Sequence, residues 1–156
     1  MIDLTARPHA ALLLRRLASG RITNDDFDGE YPDHSADPGV RAVWQFGWSL
    51  YSDFTTYRLV GRRALLPEHR RLVARCVLFL HSGLPYEYAL FPPPRFLKGL
   101  RQVLTIGVWS SGQREAKSAW RASVDWNVWP FRGQHDLSAA ASSPRFLTAA
   151  SREAPR

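Results

Sequence analysis

The chain has 156 residues, 45% of them hydrophobic, which suits a single domain. A chain of this size can bury roughly two-thirds of its unfolded surface, so its stability demands neither a metal nor a disulfide. The single cysteine, Cys76, excludes an internal disulfide framework and fits a reducing compartment. The net charge of +7 would suggest a nucleic acid or an anionic membrane as partner, but the arginines that carry it are scattered through every segment, which weakens that inference.

The beginning of the sequence does not have the pattern of a targeting or membrane segment. Asp3 precedes any positive charge, and only a short apolar run comes before Arg15 and Arg16. No other window approaches the roughly 18 uninterrupted apolar residues of a spanning helix. The sequence therefore predicts a soluble, cytoplasmic protein without a transmembrane segment.

The first half of the chain predicts two helices and an irregular connection. Residues 7–20 form an amphipathic pattern that ends at Gly20, the usual place of a helix-ending glycine. From Val40 to Tyr51, apolar and aromatic side chains recur every three or four residues, which predicts a helix with an aromatic face. Residues 55–66 are β-branched and aromatic but are broken by a glycine, which is typical of a turn or a short extended piece.

The clearest predicted helix begins at Pro67. Proline suits a first helical turn, and Glu68 lies where the helix dipole favours an acid. Gly83 and Pro85 end the helix, because glycine adopts the left-handed C-cap conformation and proline prevents continuation. Its apolar stripe is expected to face the core and consists of His69, Leu72, Val73, Cys76, Val77 and Leu80.

The second half of the chain predicts weaker elements. Residues 86–94 are rich in proline and predict a stiff connector. Residues 95–109 predict a basic amphipathic helix that either packs on the core or lies on a membrane surface or in a partner's groove. Residues 110–125 predict a loop followed by another helix, and residues 126–136 an extended aromatic segment. From Ser138 onward the sequence is small, polar and weakly patterned.

These elements together predict a mainly α fold. We expect one small helical domain over residues 1–137, with four to five helices, irregular connectors and a short extended aromatic segment. We expect a disordered tail over residues 138–156.

The densest run of carboxylates, residues 22–35, resembles the opening of a calcium loop. With Asn24 at position one, Asp26, Asp28 and Gly29 occupy positions three, five and six of such a loop. Position twelve is then Ser35, which cannot supply the two oxygens of the usual glutamate. The pattern therefore lacks the ligand that would complete a calcium site.

A helix start explains the same residues better. Thr23 can accept from backbone amides of a new helix, and Asp26 lies where a capping-box acid reaches back. Ile22 and Phe27 have the spacing of a hydrophobic staple, and Asp25 favours the positive end of the helix dipole. The sequence thus predicts a very short helix here and no metal.

No pattern in the sequence defines a catalytic site or a cofactor. The five histidines do not pair with a second ligand at metal-binding spacing, and no phosphate-binding glycine loop is present. His81 and Glu87, six residues apart across a turn, could form a small hydrolase site with Asp53. Cys76 lies on the apolar stripe of its helix and is expected to be a buried, inert thiol.

Tryptophan and arginine crowd into residues 120–132. If the segment is extended, alternation places Trp126 and Val128 on one face and Asn127 and Trp129 on the other. Tryptophan and arginine dominate protein-binding hot spots and also stack on nucleic-acid bases. The cluster is therefore either part of the core or a recognition surface.

Four stretches of the sequence together resemble a family of small, functionally uncharacterised bacterial proteins: LASGRITNDDF, LYSDFTTYRLVGRRALL, ARCVLFLHSGLPYEY and VDWNVWPF. The resemblance covers residues 12–136. The chain departs from the family pattern at YEYALFPPP, where a tryptophan-proline pair would follow the glutamate. The resemblance brings no activity and assigns no catalytic residue, but it implies that the polar residues of GRITNDDF and LYSD have a function.

Two hypotheses follow from the sequence. The first is a small non-enzymatic protein, immunity-like or regulatory, that binds another protein through an acidic patch between Asp25 and Asp37. The second is an arginine-rich nucleic-acid-binding module. The residues that we expect to contact the partner are Asn24, Asp25, Asp26, Asp28, Asp53, Arg58, Glu87, Trp126, Trp129 and Arg132.

Overall fold

The computed structural model describes residues 1–52, 54–90 and 122–142 and confirms a mainly helical fold. Five α-helices and one 3-10 helix lie in these ranges, and no strand does. The helices are α1 (Ala6–Ala18), α2 (Asn24–Glu30), α3 (Pro38–Trp48), α4 (Pro67–Ser82) and α5 (Gln134–Ser142), with the 3-10 helix at Gly61–Arg63.

Packing of α1 against α4 organises the helical core. The apolar side of α1, which includes Leu13, Leu14 and Leu17, is fully buried. The glycines predicted to end these two helices do so: Gly20 has a φ of +66° and Gly83 a φ of +73°. A side chain at Gly20 would also meet the Val60 side chain, because a Cβ there would lie 2.3 Å from Val60 Cγ1. The residues that precede the 3-10 helix are therefore packed against the end of α1.

The buried stripe of α4 differs from the prediction at one position. Val73, Cys76, Val77 and Leu80 are buried as expected, whereas His69 is exposed. Phe79 is fully buried and lies at the centre of the core instead. Phe79 is covered by Arg7 of α1 and by the Tyr86 and Phe131 rings, contacts that the sequence pattern of α4 cannot show.

Residues 125–131 form consecutive turns, so the predicted extended aromatic segment is wrong. The amide of Trp129 donates to the Asp125 carbonyl at 2.8 Å, and the amide of Phe131 donates to the Val128 carbonyl at 3.0 Å. The Asp125 carboxylate also accepts from the amide of Asn127 at 2.9 Å, a local bond that favours a turn over a strand. The predicted alternation is lost, and Val128, Trp129 and Phe131 are all buried.

An array of aromatic rings fills the space between α3, α4 and this turn segment. Phe46 meets Trp129 edge-on, with ring centroids 5.5 Å apart. Phe79 lies at 88° to Phe131 and at 75° to Tyr86. Such edge-to-face pairs are directional, since the positive edge of one ring faces the negative face of the next. The array thus fixes the relative orientation of elements that are distant in the chain.

Several predictions concern residues that the structure places differently or does not describe. Helix α5 extends to Ser142, so residues 138–142 of the predicted tail are helical. The predicted helix over 95–109, most of the predicted loop and helix over 110–125, and residues 143–156 lie outside the described residues. Among the ranges that are described, no helix combines the length and the apolar character needed to cross a membrane.

A buried ion pair joins α1 to the beginning of α3. Arg7 Nε donates to Asp37 Oδ2 at 2.6 Å, Arg7 Nη2 donates to Oδ1 at 3.2 Å, and both residues are 1% exposed. The remaining arm of Arg7 donates to the carbonyl of Leu84 at 2.7 Å, and its guanidinium lies over the Phe79 ring, 5.0 Å from the centroid. Arg7 therefore contacts α3, α4 and the segment after α4 at one point.

The Asp37 carboxylate also accepts from two backbone amides. Gly39 donates to it at 2.8 Å, which caps α3, and Asp3 donates at 2.9 Å, which holds the segment before α1. The Asp3 carboxylate in turn accepts from the Ser35 hydroxyl at 2.9 Å and from the amide of Ala6 at 2.8 Å. The charge of Asp37 is thereby paired and fully hydrogen-bonded, as a buried carboxylate must be.

Removal of the cation from this pair should be strongly destabilising. Arg7→Met leaves the Asp37 carboxylate buried without its counter-charge, and we expect the free energy of unfolding to fall by about 3–5 kcal/mol. Urea unfolding followed by circular dichroism measures the change. Arg16→Met, in the exposed part of the same helix, is the matched control and should change stability by less than about 0.5 kcal/mol. Equal losses in the two variants would contradict the proposed role of the pair.

Acid should weaken the fold through Asp37. Burial by itself would raise the pKa of this carboxyl, but the hydrogen bonds from Arg7 and from the amides of Asp3 and Gly39 hold the pKa below its ordinary value of 3.8. Because the folded-state pKa is depressed, the stabilisation is present above about pH 4 and is lost as the pH falls through the folded-state value. Carboxyl NMR titration of Asp37, with urea unfolding at each pH, tests this. A titration midpoint at or above 3.8 would contradict it.

Candidate interaction surface

Helix α2 begins with the capping box that the sequence predicts. The amide of Asp26 donates to Thr23 Oγ1 at 3.1 Å, and the amide of Thr23 donates to Asp26 Oδ2 at 2.9 Å. The bond from the Thr23 amide is the main cause that lowers the pKa of Asp26, and the positive charge of Arg58 adds to it. Asp26 therefore stays ionised to a lower pH than an ordinary aspartate. One of its carboxylate oxygens is used in the capping box.

Asn24 links α2 to the loop that includes residues 54–58. Its side-chain amide donates to the Thr55 carbonyl at 3.2 Å, and its side-chain oxygen accepts from the amide of Tyr57 at 2.7 Å. The amide of Asn24 also donates to the Tyr57 carbonyl at 3.1 Å. Asn24 is only 2% exposed, and its predicted contact with a partner stays a prediction. Its side chain therefore joins α2 to Thr55 and Tyr57 of the loop.

The carboxylates of Asp25 and Asp28 are exposed but held in place. Asp25 accepts a hydrogen bond from the Thr56 hydroxyl, and Asp28 accepts one from the indole of Trp48. The Tyr51 hydroxyl lies 3.5 Å from the same oxygen of Asp28. These donors are neutral, so they orient the carboxylates without cancelling their charge.

Helix α2 presents an acidic face to solvent, which we call the acidic surface and define as Asp25, Asp26, Asp28 and Glu30. All four residues are exposed. Within the described part of the chain, none of these carboxylates forms an ion pair with lysine or arginine. On a chain with a net charge of +7, these four carboxylates, with Arg58 as a nearby positive charge, define an acidic region.

Phe54 projects into solvent beside the acidic surface. It is 96% exposed, and it belongs to the loop whose neighbouring residues Thr55 and Thr56 bond to α2. The base of the loop is fixed as well, because the amide of Ser52 donates to the Tyr57 hydroxyl at 2.8 Å. Sequence reasoning missed Phe54. The available signal was a lone aromatic residue within the polar, turn-forming stretch that follows Ser52.

Arg58 is exposed in the loop beside α2, whereas Glu87, Trp126, Trp129 and Arg132 belong to segments that follow α4. Glu87 and Arg132 are exposed and form an ion pair at 3.2 Å. Trp126 is 38% exposed. Trp129 is 1% exposed and so belongs to the core, one of the two positions that the sequence left open for the tryptophan cluster. Its indole donates to the Tyr86 hydroxyl at 3.2 Å. Asp53 lies outside the described residues.

The groups proposed for a hydrolase have other partners. Glu87 pairs with Arg132, and His81 is half-buried at the end of α4, where burial and the charge of Arg15 lower its pKa. Burial raises the pKa of the Cys76 thiol, so this thiol stays protonated and inert. Across the residues that the structure describes, no three metal-binding side chains gather at one point.

Comparison of the chain with protein-family models, with curated proteins and with solved structures finds no match in any of the three. The inference of function consequently depends on the geometry of the surface.

Loss of the Asn24 side chain should release the Phe54 loop. In Asn24→Ala, the amide of Tyr57 and the carbonyl of Thr55 lose their partners, and we expect stability to fall by about 1–3 kcal/mol. Hydrogen exchange of the Tyr57 amide should become faster by a larger factor than exchange in α1. Asn127→Ala, a change of the same kind at an exposed position, is the control and should leave Tyr57 exchange unchanged. Unaltered exchange at Tyr57 in Asn24→Ala would show that other contacts hold the loop.

Proposed function

We propose that this chain is a small non-enzymatic protein, immunity-like or regulatory, that acts by binding another protein through the acidic surface and Phe54. The observation that carries the proposal is the placement of Phe54, an aromatic side chain 96% exposed on a loop anchored to α2 by hydrogen bonds. A large apolar group exposed to water is unfavourable in free energy, and burial in a partner would remove this unfavourable contact.

The anchoring of the loop supports binding because it reduces the entropy lost on association. An aromatic residue on a loose loop must be ordered when it binds, which offsets part of the gain from burial. Here Asn24, Thr56 and Tyr57 hold the loop before any partner arrives. Hot spots of protein interfaces have this composition: a rigid aromatic anchor surrounded by polar groups that exclude water.

The charge of the acidic surface indicates the chemistry of the partner. Asp25, Asp28 and Glu30 would be matched by lysines or arginines around an apolar pocket that receives Phe54. Because the rest of the chain is basic, the acidic surface also orients the two proteins during their encounter. We therefore propose a basic partner protein with an apolar pocket at the centre of its binding site.

Site-specific cross-linking tests the proposal directly. A photo-reactive phenylalanine analogue at position 54 should capture one protein from a nuclease-treated lysate of the native cells. The same analogue at position 66 is the control, since Leu66 is also exposed, at 55%, but lies at the beginning of α4. Capture of the same proteins from both positions, or of none at position 54, would contradict the proposal.

Once the captured protein is identified, two variants separate the contribution of Phe54 to binding from that of the acidic surface. We expect Phe54→Ala to weaken binding by about 2 kcal/mol or more, mainly through faster dissociation, as is typical of a hot-spot residue. Glu30→Lys should slow association and reduce its dependence on salt, because it reverses a charge of the acidic surface. Glu68→Lys, an equal change in charge on α4, is the matched control. Stopped-flow association at several salt concentrations distinguishes these outcomes.

A further inference from the structure

Arginines gather on the short segment that runs from the 3-10 helix into α4. Four of the twelve residues from 60 to 71 are arginine, and Glu68 is the one acid among them. We call residues 60–71 the basic segment. Its arginines, at positions 62, 63, 70 and 71, are all exposed, and within the described ranges none of them forms an ion pair with a carboxylate. The basic segment therefore presents an excess of positive charge to solvent.

The core holds the basic segment at two points and leaves aliphatic side chains exposed beside them. Leu59, directly before the segment, is 4% exposed, and Leu65, in its middle, is 7% exposed. Between them, the amide of Arg63 donates to the Val60 carbonyl at 3.1 Å, which closes the 3-10 turn. Val60 and Leu66, which follow the two buried leucines, are 54% and 55% exposed. The segment is thus fixed to the core and still presents apolar groups to water.

Two of the arginines are held close to Leu66. Arg70 Nε donates to the Leu65 carbonyl at 3.0 Å, which places its guanidinium beside the peptide that leads into Leu66. Arg63 lies over the Tyr57 ring, 4.1 Å from the centroid, and the chain can separate the Cα atoms of Arg63 and Leu66 by no more than about 11 Å. Arg70 uses one of its five N–H donors in this bond, so its Nη groups remain for an anion. An exposed aliphatic side chain therefore lies close to cations that can bind anions.

We propose that the basic segment binds the surface of a membrane that contains anionic phospholipids, with Val60 and Leu66 entering the boundary between headgroups and acyl chains. Such a bilayer offers, at one surface, the negative charge that arginine binds and an apolar layer that aliphatic side chains can enter. A nucleic acid would match the arginines but would leave Leu66 in water, because an aliphatic side chain has no flat surface on which a base can stack.

The expected binding is reversible. Even a single myristoyl chain holds a protein only marginally, and Val60 and Leu66 are smaller than such a chain. Each arginine near the surface should increase the affinity about fivefold, and salt should weaken binding because it screens these charges. The proposal involves neither Phe54 nor the carboxylates of the acidic surface, so it is independent of the proposed protein binding.

Co-sedimentation of the full-length protein with vesicles tests the inference. The protein should bind vesicles of phosphatidylcholine and phosphatidylserine in equal parts, but not vesicles of phosphatidylcholine alone. We expect Leu66→Ala to weaken binding about tenfold, since it removes aliphatic groups that would leave water. Arg62→Gln should weaken binding about fivefold. Leu4→Ala and Arg41→Gln, equal changes at exposed positions outside the basic segment, are the matched controls and should have much smaller effects. Circular dichroism of each variant checks that the fold is retained.

A fluorescent label locates the contact on the protein. Cys76 is the single cysteine and is fully buried, so an environment-sensitive dye will react with Leu66→Cys at position 66 and not with the native thiol. Its emission should shift to the blue when anionic vesicles are added. The same dye attached to Leu4→Cys is the control, because position 4 is 75% exposed but lies before α1, and its emission should not shift.

The possible results separate a membrane from other polyanions. Binding to anionic vesicles that Leu66→Ala and Arg62→Gln both weaken, with a blue shift at position 66, supports the proposal. Absence of binding, equal binding to neutral vesicles, or an unshifted emission at position 66 would overturn it. Preference for oligothymidylate over anionic vesicles, unchanged in Leu66→Ala, would assign the arginines to nucleic acid and overturn it as well. Cross-linking from position 54 does not depend on any of these results, so the proposed function is tested separately.

Discussion

The ion pair between Arg7 and Asp37 is the constraint on which the arrangement of helices depends. A buried charge is tolerated only when its partner and its remaining hydrogen bonds are all in place, so the pair permits few positions of the elements around it. Gly39 shows how close the approach is, since a Cβ there would lie 2.8 Å from the Phe79 ring and 3.0 Å from Arg7 Nη2. Hydrophobic burial would allow α1, α3 and α4 to slide, whereas this network fixes their register.

Hydrogen bonds also fix the structure at the acidic surface, although these bonds are weaker than the buried ion pair. Asn24 satisfies the backbone of a loop that has no helix or strand of its own, and neutral donors from Thr56 and Trp48 orient the carboxylates of α2. The result is an irregular segment whose shape is determined before binding. Loops of this kind carry function because a rigid scaffold positions them.

Local sequence signals predicted α1 to α4 because the causes of these helices are local, whereas α5 lies in residues predicted as an extended segment and a disordered tail. The Thr23 and Asp26 capping box, the proline that opens α4 and the glycines that end α1 and α4 all act within a few residues, and the structure contains each of them. Long-range contacts were not predictable in this way. Neither the pairing of Arg7 with Asp37 nor the inward position of Trp129 follows from spacing, because each depends on elements far apart in the chain. The carboxylates of α2 were evident from the sequence, but their aromatic neighbour Phe54 and the role of Asn24 became visible only in three dimensions. The resemblance to a bacterial family and the cytoplasmic location stay predictions.

The aromatic array gives the two halves of the core different tolerance to sequence change. The leucines of α1 are held by non-directional packing, so another aliphatic residue of similar volume can replace one of them at modest cost. Phe46, Phe79 and Trp129 meet their neighbours edge-on, and an aliphatic residue of equal volume cannot reproduce that geometry. Over evolutionary time the leucine side is thus free to drift, while the aromatic side changes only through coordinated substitutions of several rings.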